Sequence, residues 1–277
     1  LPMLEKVPVC FVTWTRFATP DGPSFSRNCR RSAEHPSNAA SEMRGSRGIT
    51  QLRWATFGEP SQVNSQPHLD SDGDMVGAHN GNVVNNFELR EQFMAEGMTV
   101  RSQNDGETCV HAVERYIHRG YQFIDAIRLA YGDLQGDYAF VIGRADDDKL
   151  YAFKKGSGLV VGIGEGFTCV SSDLPSILPL TREVIRPQDG EIVTLWADRI
   201  EVRSVKDSKL IDRKPETVTE SMEAVQKGGY PHFMLKEIHE QPRIVENTLM
   251  GRLDTRTHDV TLDQSGLTED DARAIEA

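Results

Sequence analysis

Cysteine pairs, long apolar runs and positive charge are all scarce in this 277-residue chain, and each scarcity removes a class of function. Its four cysteines, Cys10, Cys29, Cys109 and Cys169, form no C-x-x-C pair. Neither a zinc knuckle nor a disulfide framework is indicated, and each reads as a free thiol. No apolar run approaches the roughly 20 residues that a bilayer span requires, and the opening Leu1-Pro2-Met3-Leu4-Glu5-Lys6 lacks the basic-then-apolar order of a secretory signal. The expectation is a soluble, cytoplasmic protein with no membrane partner. Lys and Arg number 31 against 42 Asp and Glu, for a formal net charge of −11, which opposes phosphate backbones and argues against nucleic acid. No serine sits in G-x-S-x-G, so there is no nucleophile elbow. The eight histidines show no H-x-x-x-H or H-x-E pattern. His111 and His118 share a predicted helix but stand about 10 Å apart in rise, too far for joint ligation. No metal site is expected.

What remains is a chain with 38% hydrophobic residues, enough to bury a substantial core in one large or two modest domains. Residues 1–50 differ in kind from the rest. They carry seven Lys/Arg against four Asp/Glu, are rich in Ser, Arg, Pro and Gly, and show no sustained period of 2 or 3.6. Residues 1–47 therefore read as an atypical, weakly ordered segment apart from a strand within 7–14. Over 48–217 the texture is that of a packed α/β chain. Periodicity predicts helices over 87–96, 107–118 and 123–131, then strands over 138–143, 150–154, 159–164, 167–171, 191–196 and 199–204. Tight joins at Asp146-Asp147-Asp148, Glu165-Gly166 and Ala197-Asp198 imply antiparallel hairpins. The strands are expected to build a large antiparallel sheet, two-layered and packed by helices. Residues 218–277 read as a helical connector over 230–252 followed by an acidic linker.

Two motifs invite chemistry. Gly162-x-Gly164-x-Gly166 is followed by a strand rather than a helix, so it reads as a hairpin turn and not a phosphate loop. His79-Asn80-Gly81-Asn82 has two readings. Asn-Gly is by itself a strong type I′ turn dipeptide. An Asn side chain and a following Gly backbone N–H can also stabilise the oxyanion formed when an amide carbonyl is attacked. Neighbouring charges favour the second reading. Arg53 can clamp an α-carboxylate and Asp105 can accept from an α-ammonium, so cation, amide donor and anion match the three polar ends of glutamine.

Longer stretches carry a resemblance. Gly48-Ile49 through Arg53-Trp54-Ala55-Thr56-Phe57-Gly58-Glu59-Pro60-Ser61, then Asn64 and Pro67-His68, is similar to a glutamine-binding stretch, and His79-Asn80-Gly81 to an oxyanion loop. Ser102-Gln103-Asn104-Asp105-Gly106-Glu107 is similar to a serine-glutamate-threonine-aspartate segment. Ser157-Gly158-Leu159-Val160-Val161-Gly162 and Ser171-Ser172-Asp173 match sheet motifs of the same family, and residues 230–242 with Thr248-Leu249-Met250-Gly251-Arg252 match its connector. Across 48–252 the chain resembles the class II glutamine amidotransferases, and among them the glutamine–fructose-6-phosphate aminotransferase family. It departs from them at Phe57 and Gln66, where histidine is usual.

The resemblance implies an α+β fold, a four-layer αββα sandwich of the N-terminal-nucleophile hydrolase type with a C-terminal helical connector. It implies glutamine binding by Arg53, Trp54, Thr56, His79 and Asp105, an oxyanion hole of Asn80 and Gly81, and no cofactor. Its expected partners are glutamine and a sugar-phosphate isomerase domain in a longer parent, with a homodimer admissible. In this family residue 1 is cysteine and its own α-amine is the base, an amine that titrates near neutrality. Residue 1 here is Leu1, and the cysteine-glycine-isoleucine start is not recognisable. The expectation is an impaired glutaminase, with Cys10 the one early thiol that processing after Val9 would expose. A foreign N-terminal segment and a truncated C-terminus are the accompanying expectations, and a noncatalytic glutamine-binding domain is the alternative.

Overall fold

The computed structural model describes residues 10–12, 47–51, 58–59, 61–219, 229–249, 253–254 and 259–260. Two compact units are distinguished, one of residues 6–220 and one of residues 1–5 with 221–277. Apart from residues 10–12 and 47, the expected weakly ordered segment 1–47 lies outside the described residues, as does most of the tail after residue 250.

In the larger unit, strands β1 (Cys10–Val12), β2 (His68–Leu69) and β3 (Met75–Val83) precede three helices, α1 (Asn86–Ala95), α2 (Asp105–His118) and α3 (Phe123–Asp133). Nine strands follow: β4 (Gly136–Arg144), β5 (Leu150–Lys155), β6 (Val160–Gly164), β7 (Phe167–Ser171), β8 (Glu183–Ile185), β9 (Glu191–Leu195), β10 (Ile200–Ser204), β11 (Leu210–Ile211) and β12 (Glu216–Thr217). The expected elements occupy these places with their ends shifted by at most three residues, and β7 not at all. Helix α2 starts two residues early because Asn104 caps it, its side chain accepting the Gly106 N–H at 2.8 Å. The strands build two sheets, as an αββα sandwich requires, a seven-stranded sheet in the order β11-β10-β9-β5-β4-β3-β2 and a five-stranded sheet in the order β1-β7-β6-β8-β12. The expected hairpins β4–β5, β6–β7 and β9–β10 are antiparallel.

Period-2 alternation explains the layering. Along β4, Tyr138, Phe140 and Ile142 face the helices and join Leu89, Phe93, Val110, Val113, Phe123 and Ile127 in one buried cluster. The intervening Ala139 and Val141 face the other sheet, where Ala78, Ala152, Val193 and Leu195 meet Leu159, Val161, Val170 and Ile185. Small residues Ala78, Ala139 and Ala152 on that inner face let the sheets approach closely. Aromatic rings fill the helix-facing layer. Phe153 meets Tyr138 and Phe140 edge-on at centroid distances of 6.1 and 5.2 Å.

The smaller unit contains the expected connector helix, α4 (Phe233–Leu249), with Pro242 inside it, and a short pair of strands, β13 (Leu253–Asp254) with β14 (Asp259–Val260). Tyr230 stacks on His239 at 5.3 Å, joining the segment before the helix to its second turn. Among the described residues, no helix is long and apolar enough to cross a membrane.

Phe153 is fully buried in the aromatic layer. Phe153→Ala is expected to lower unfolding stability by about 3–5 kcal/mol, read as a lower urea midpoint with the slope unchanged.

Candidate functional site

The site forms where β3 runs past the end of its short neighbour. One edge of β3 pairs with β4 along its whole length, from Met75 opposite Arg144 to Val83 opposite Gly136. The other edge pairs with β2 only at Val76 and Gly77. Beyond that point side chains replace the missing strand. Gln66 Oε1 accepts the His79 N–H at 2.7 Å while Gln66 Nε2 donates to the His79 carbonyl at 3.1 Å. Gln51 Nε2 donates to the same carbonyl at 2.8 Å. Four residues on, the Val83 N–H donates to Asp105 Oδ2 at 2.9 Å.

Between these two anchors Asn80, Gly81 and Asn82 are exposed, whereas Ala78, His79 and Val83 around them are buried. The Asn-Gly pair is therefore not a hairpin turn but an open stretch inside a strand. Gly81 has φ +112°, and a Cβ there would lie 2.1 Å from the Asp137 carbonyl oxygen. Only glycine fits.

Asp105 opens α2, where the helix dipole favours a carboxylate, and it is fully buried. Its Oδ2 lies 3.1 Å from His79 Nε2 in addition to accepting from Val83. Among the described residues its Oδ1 is buried with no hydrogen-bond partner. Burial raises the carboxyl pKa, but His79 and the Val83 N–H more than offset this and the net shift is downward, so the group is held as an anion. A buried carboxylate oxygen without a donor is costly, and a cationic ligand group placed against it relieves that cost. The helix start reaches His79 because residue 106 is glycine. A Cβ there would lie 2.5 Å from His79 Nδ1 and 2.7 Å from Gln66 Oε1.

The segment leading into α2 is tied down by Glu107, which accepts the Arg101 N–H at 2.8 Å, the Ser102 N–H at 2.6 Å and the Ser102 hydroxyl at 2.7 Å. Asn64 holds the same segment from the other side, accepting the Gln103 N–H at 2.8 Å and donating to the Glu59 carbonyl at 3.0 Å. One helical turn along, the buried His111 lies between Glu107, at 3.6 Å, and Glu114, at 2.5 Å. His118 reaches Glu114 at 3.7 Å and Asp72 at 3.1 Å. The donor atoms of Asp72, Glu114 and His118 lie within 4.8 Å of one another. His118 thus shares a carboxylate with His111 although the two histidines stand two turns apart. Exposed Asp72 and His118 account for one another as an ion pair.

The sequence-derived candidates divide into three groups. Asn80, Gly81, His79 and Asp105 come together on one strand edge and one helix start. Arg53, Trp54 and Thr56 lie outside the described residues. For Cys10 only the backbone is described, opposite Ser171 on the edge of the five-stranded sheet. Cys109 and Cys169 are buried. Burial, followed by the charge of Asp105, pushes the Cys109 thiol well up, which makes it a poor nucleophile. Gln51, Gly106 and the role of Gln66 escaped sequence reasoning. The one available signal was that Gln66 departs from an otherwise matching motif.

With that geometry in place, comparisons with known proteins bear on the same residues. Residues 53–178 match the family model described as a glutamine amidotransferase domain. Glutamine–fructose-6-phosphate aminotransferase [isomerizing] of Thermococcus kodakarensis is 39% identical over 211 residues, 76% of this chain and 35% of that protein. The enzyme of the same name from Thermus thermophilus is 39% identical over 236 residues, 85% and 39% of the two chains. The chain thus spans a little over a third of the length of the curated relatives it matches. Two solved structures share the fold at 23% identity. Glutamine phosphoribosylpyrophosphate amidotransferase from B. subtilis, complexed with ADP and GMP, aligns with TM-score 0.51 over 60% of this chain and 36% of its own. A structure described as the allosteric regulatory enzyme of purine biosynthesis aligns with TM-score 0.53 over 61% and 37%. The fold is that of the N-terminal-nucleophile amidotransferases, of which the described residues supply a helical layer and both sheets.

Burial raises the Glu107 carboxyl, but His111, the Arg101 and Ser102 N–H groups and the Ser102 hydroxyl outweigh it and bring its pKa from 4.5 to about 2. A depressed carboxyl contributes stability that is complete above its unfolded value and is lost as pH falls from 4.5 toward 2. A shift of that size corresponds to on the order of 3 kcal/mol. Urea unfolding at pH 6 and pH 3 should show a smaller drop in midpoint for Glu107→Gln than for the unsubstituted chain.

Proposed function

The chain carries a class II glutamine amidotransferase domain homologous to the corresponding portion of glutamine–fructose-6-phosphate aminotransferases, and from that premise we propose that its pocket takes L-glutamine and presents the side-chain amide for cleavage. In this reading Asp105 receives the α-ammonium and Arg53 the α-carboxylate, with Trp54, Thr56 and His79 completing the pocket. Asn80 and the Gly81 N–H face the side-chain carbonyl, where negative charge develops on attack. A thiolate adds to the amide carbon, the carbon–nitrogen bond breaks with a proton passing to the departing ammonia, and water releases glutamate from the thioester. The observation that carries the reading is the buried Oδ1 of an ionised Asp105 with no hydrogen-bond partner among the described residues, set beside an open Asn80-Gly81 edge.

The ammonia would serve amino-sugar synthesis on a sugar-phosphate isomerase domain of a longer parent, a cytoplasmic enzyme for which a homodimer is admissible. Neither described thiol is exposed: Cys109 lies in the helix-facing core and Cys169 is fully buried. That observation supports a second reading, a glutamine-binding domain without chemistry, and makes Cys10 the thiol to test.

Titration calorimetry with L-glutamine should show binding that Asp105→Asn weakens by about 10- to 100-fold, the worth of a charge-assisted contact. Glutamate release that disappears in Cys10→Ala assigns the nucleophile to Cys10, and binding without release assigns the noncatalytic domain. No binding and no release overturn both readings.

A further inference from the structure

Gln66 supplies what a missing strand would supply. Strand β2 ends its pairing with β3 at Gly77, opposite His68. In an antiparallel ladder alternate residues turn their backbone N–H and C=O to the same edge, so the next rung belongs to His79. That rung is filled by a side-chain amide. Gln66 accepts the His79 N–H and donates to the His79 carbonyl, the two bonds a paired backbone would make. Gln66 is itself 8% exposed, and its Oε1 is also 3.3 Å from His79 Nδ1. The rung after Gly81 is filled by the Asp105 carboxylate on the Val83 N–H. Gly81 stands between two occupied rungs on an edge where, among the described residues, no strand covers it.

We propose that Gln66 is a positioning residue whose amide fixes the plane of the His79–Gly81 backbone and so aims the Asn80-Gly81 donors at a ligand carbonyl. The proposal rests on the glutamine-pocket reading for its ligand but not for its geometry. In this role Gln66 acts through the backbone of His79. Because Gln51 also donates to the His79 carbonyl at 2.8 Å, loss of Gln66 leaves that oxygen satisfied and removes chiefly the hold on the N–H. Gln66→Met keeps the length of the side chain and removes both bonds. Gln66→Glu keeps an acceptor for the N–H.

The test compares L-glutamine with L-norvaline, which shares the α-ammonium and α-carboxylate but has no side-chain carbonyl. Calorimetry on the full chain should show Gln66→Met reducing the glutamine-over-norvaline preference by about tenfold, the worth of one hydrogen bond, with norvaline affinity within about twofold. Gln66→Glu should restore much of the preference. An unchanged preference in Gln66→Met would overturn the proposal. If the unsubstituted chain binds neither amino acid, the pocket reading falls. The geometry is then read by exchange of the His79 amide proton, expected about tenfold faster in Gln66→Met. Unchanged exchange would overturn the positioning role separately.

Discussion

The carboxylate of Asp105 is the joint on which the site depends. It belongs to the first turn of α2, yet one of its oxygens completes the hydrogen bonding of Val83 on β3 and contacts His79 of the same strand. Helix and strand are thereby locked in register at the place where the strand edge is open. The interaction holds an ionised group in a buried setting, which is stable only because donors surround it. Among the described residues the other oxygen, Oδ1, is left without a donor. A ligand ammonium is the group whose chemistry meets it.

Around this joint the chain spends its least replaceable residues on close approach. Gly106 lets the helix start abut the His79 ring, and Gly81 lets β3 pass over the Asp137 carbonyl. Glu107 and Asn64 fasten residues 101–103 from opposite sides, so that Asp105 is presented by a rigid segment. Behind them the aromatic layer of Tyr138, Phe140 and Phe153 anchors the sheet that carries the site. Binding geometry thus descends from packing. The open stretch at Asn80–Asn82 is narrow because both of its flanks are fixed.

Much of this was legible in the sequence, for reasons that differ by element. The helices and hairpins follow from apolar periodicity and tight joins, which are local properties. His79-Asn80-Gly81 and Asp105 stood out because their residue types match one ligand's polar ends. The division into two sheets followed from the family resemblance, which implies an αββα sandwich, and not from the strands themselves. It depends on β5 pairing with β4 and β9 while β6 pairs with β7 and β8, and such a choice between partners leaves no mark in any single strand. The Asn-Gly dipeptide taken alone misleads, because a turn propensity is overridden when both flanks are held in a ladder. Gln66 and Gln51 were invisible as functional residues. A side-chain amide that stands in for a strand rung has no spacing or composition to betray it.

The most direct test is the structure of the chain determined with L-glutamine bound. The account predicts the α-ammonium within hydrogen-bond distance of Asp105 Oδ1, with the side-chain carbonyl directed at Asn80 and the Gly81 N–H. Glutamine found at another place on the chain, or bound here with its α-carboxylate rather than its ammonium toward Asp105, would contradict it.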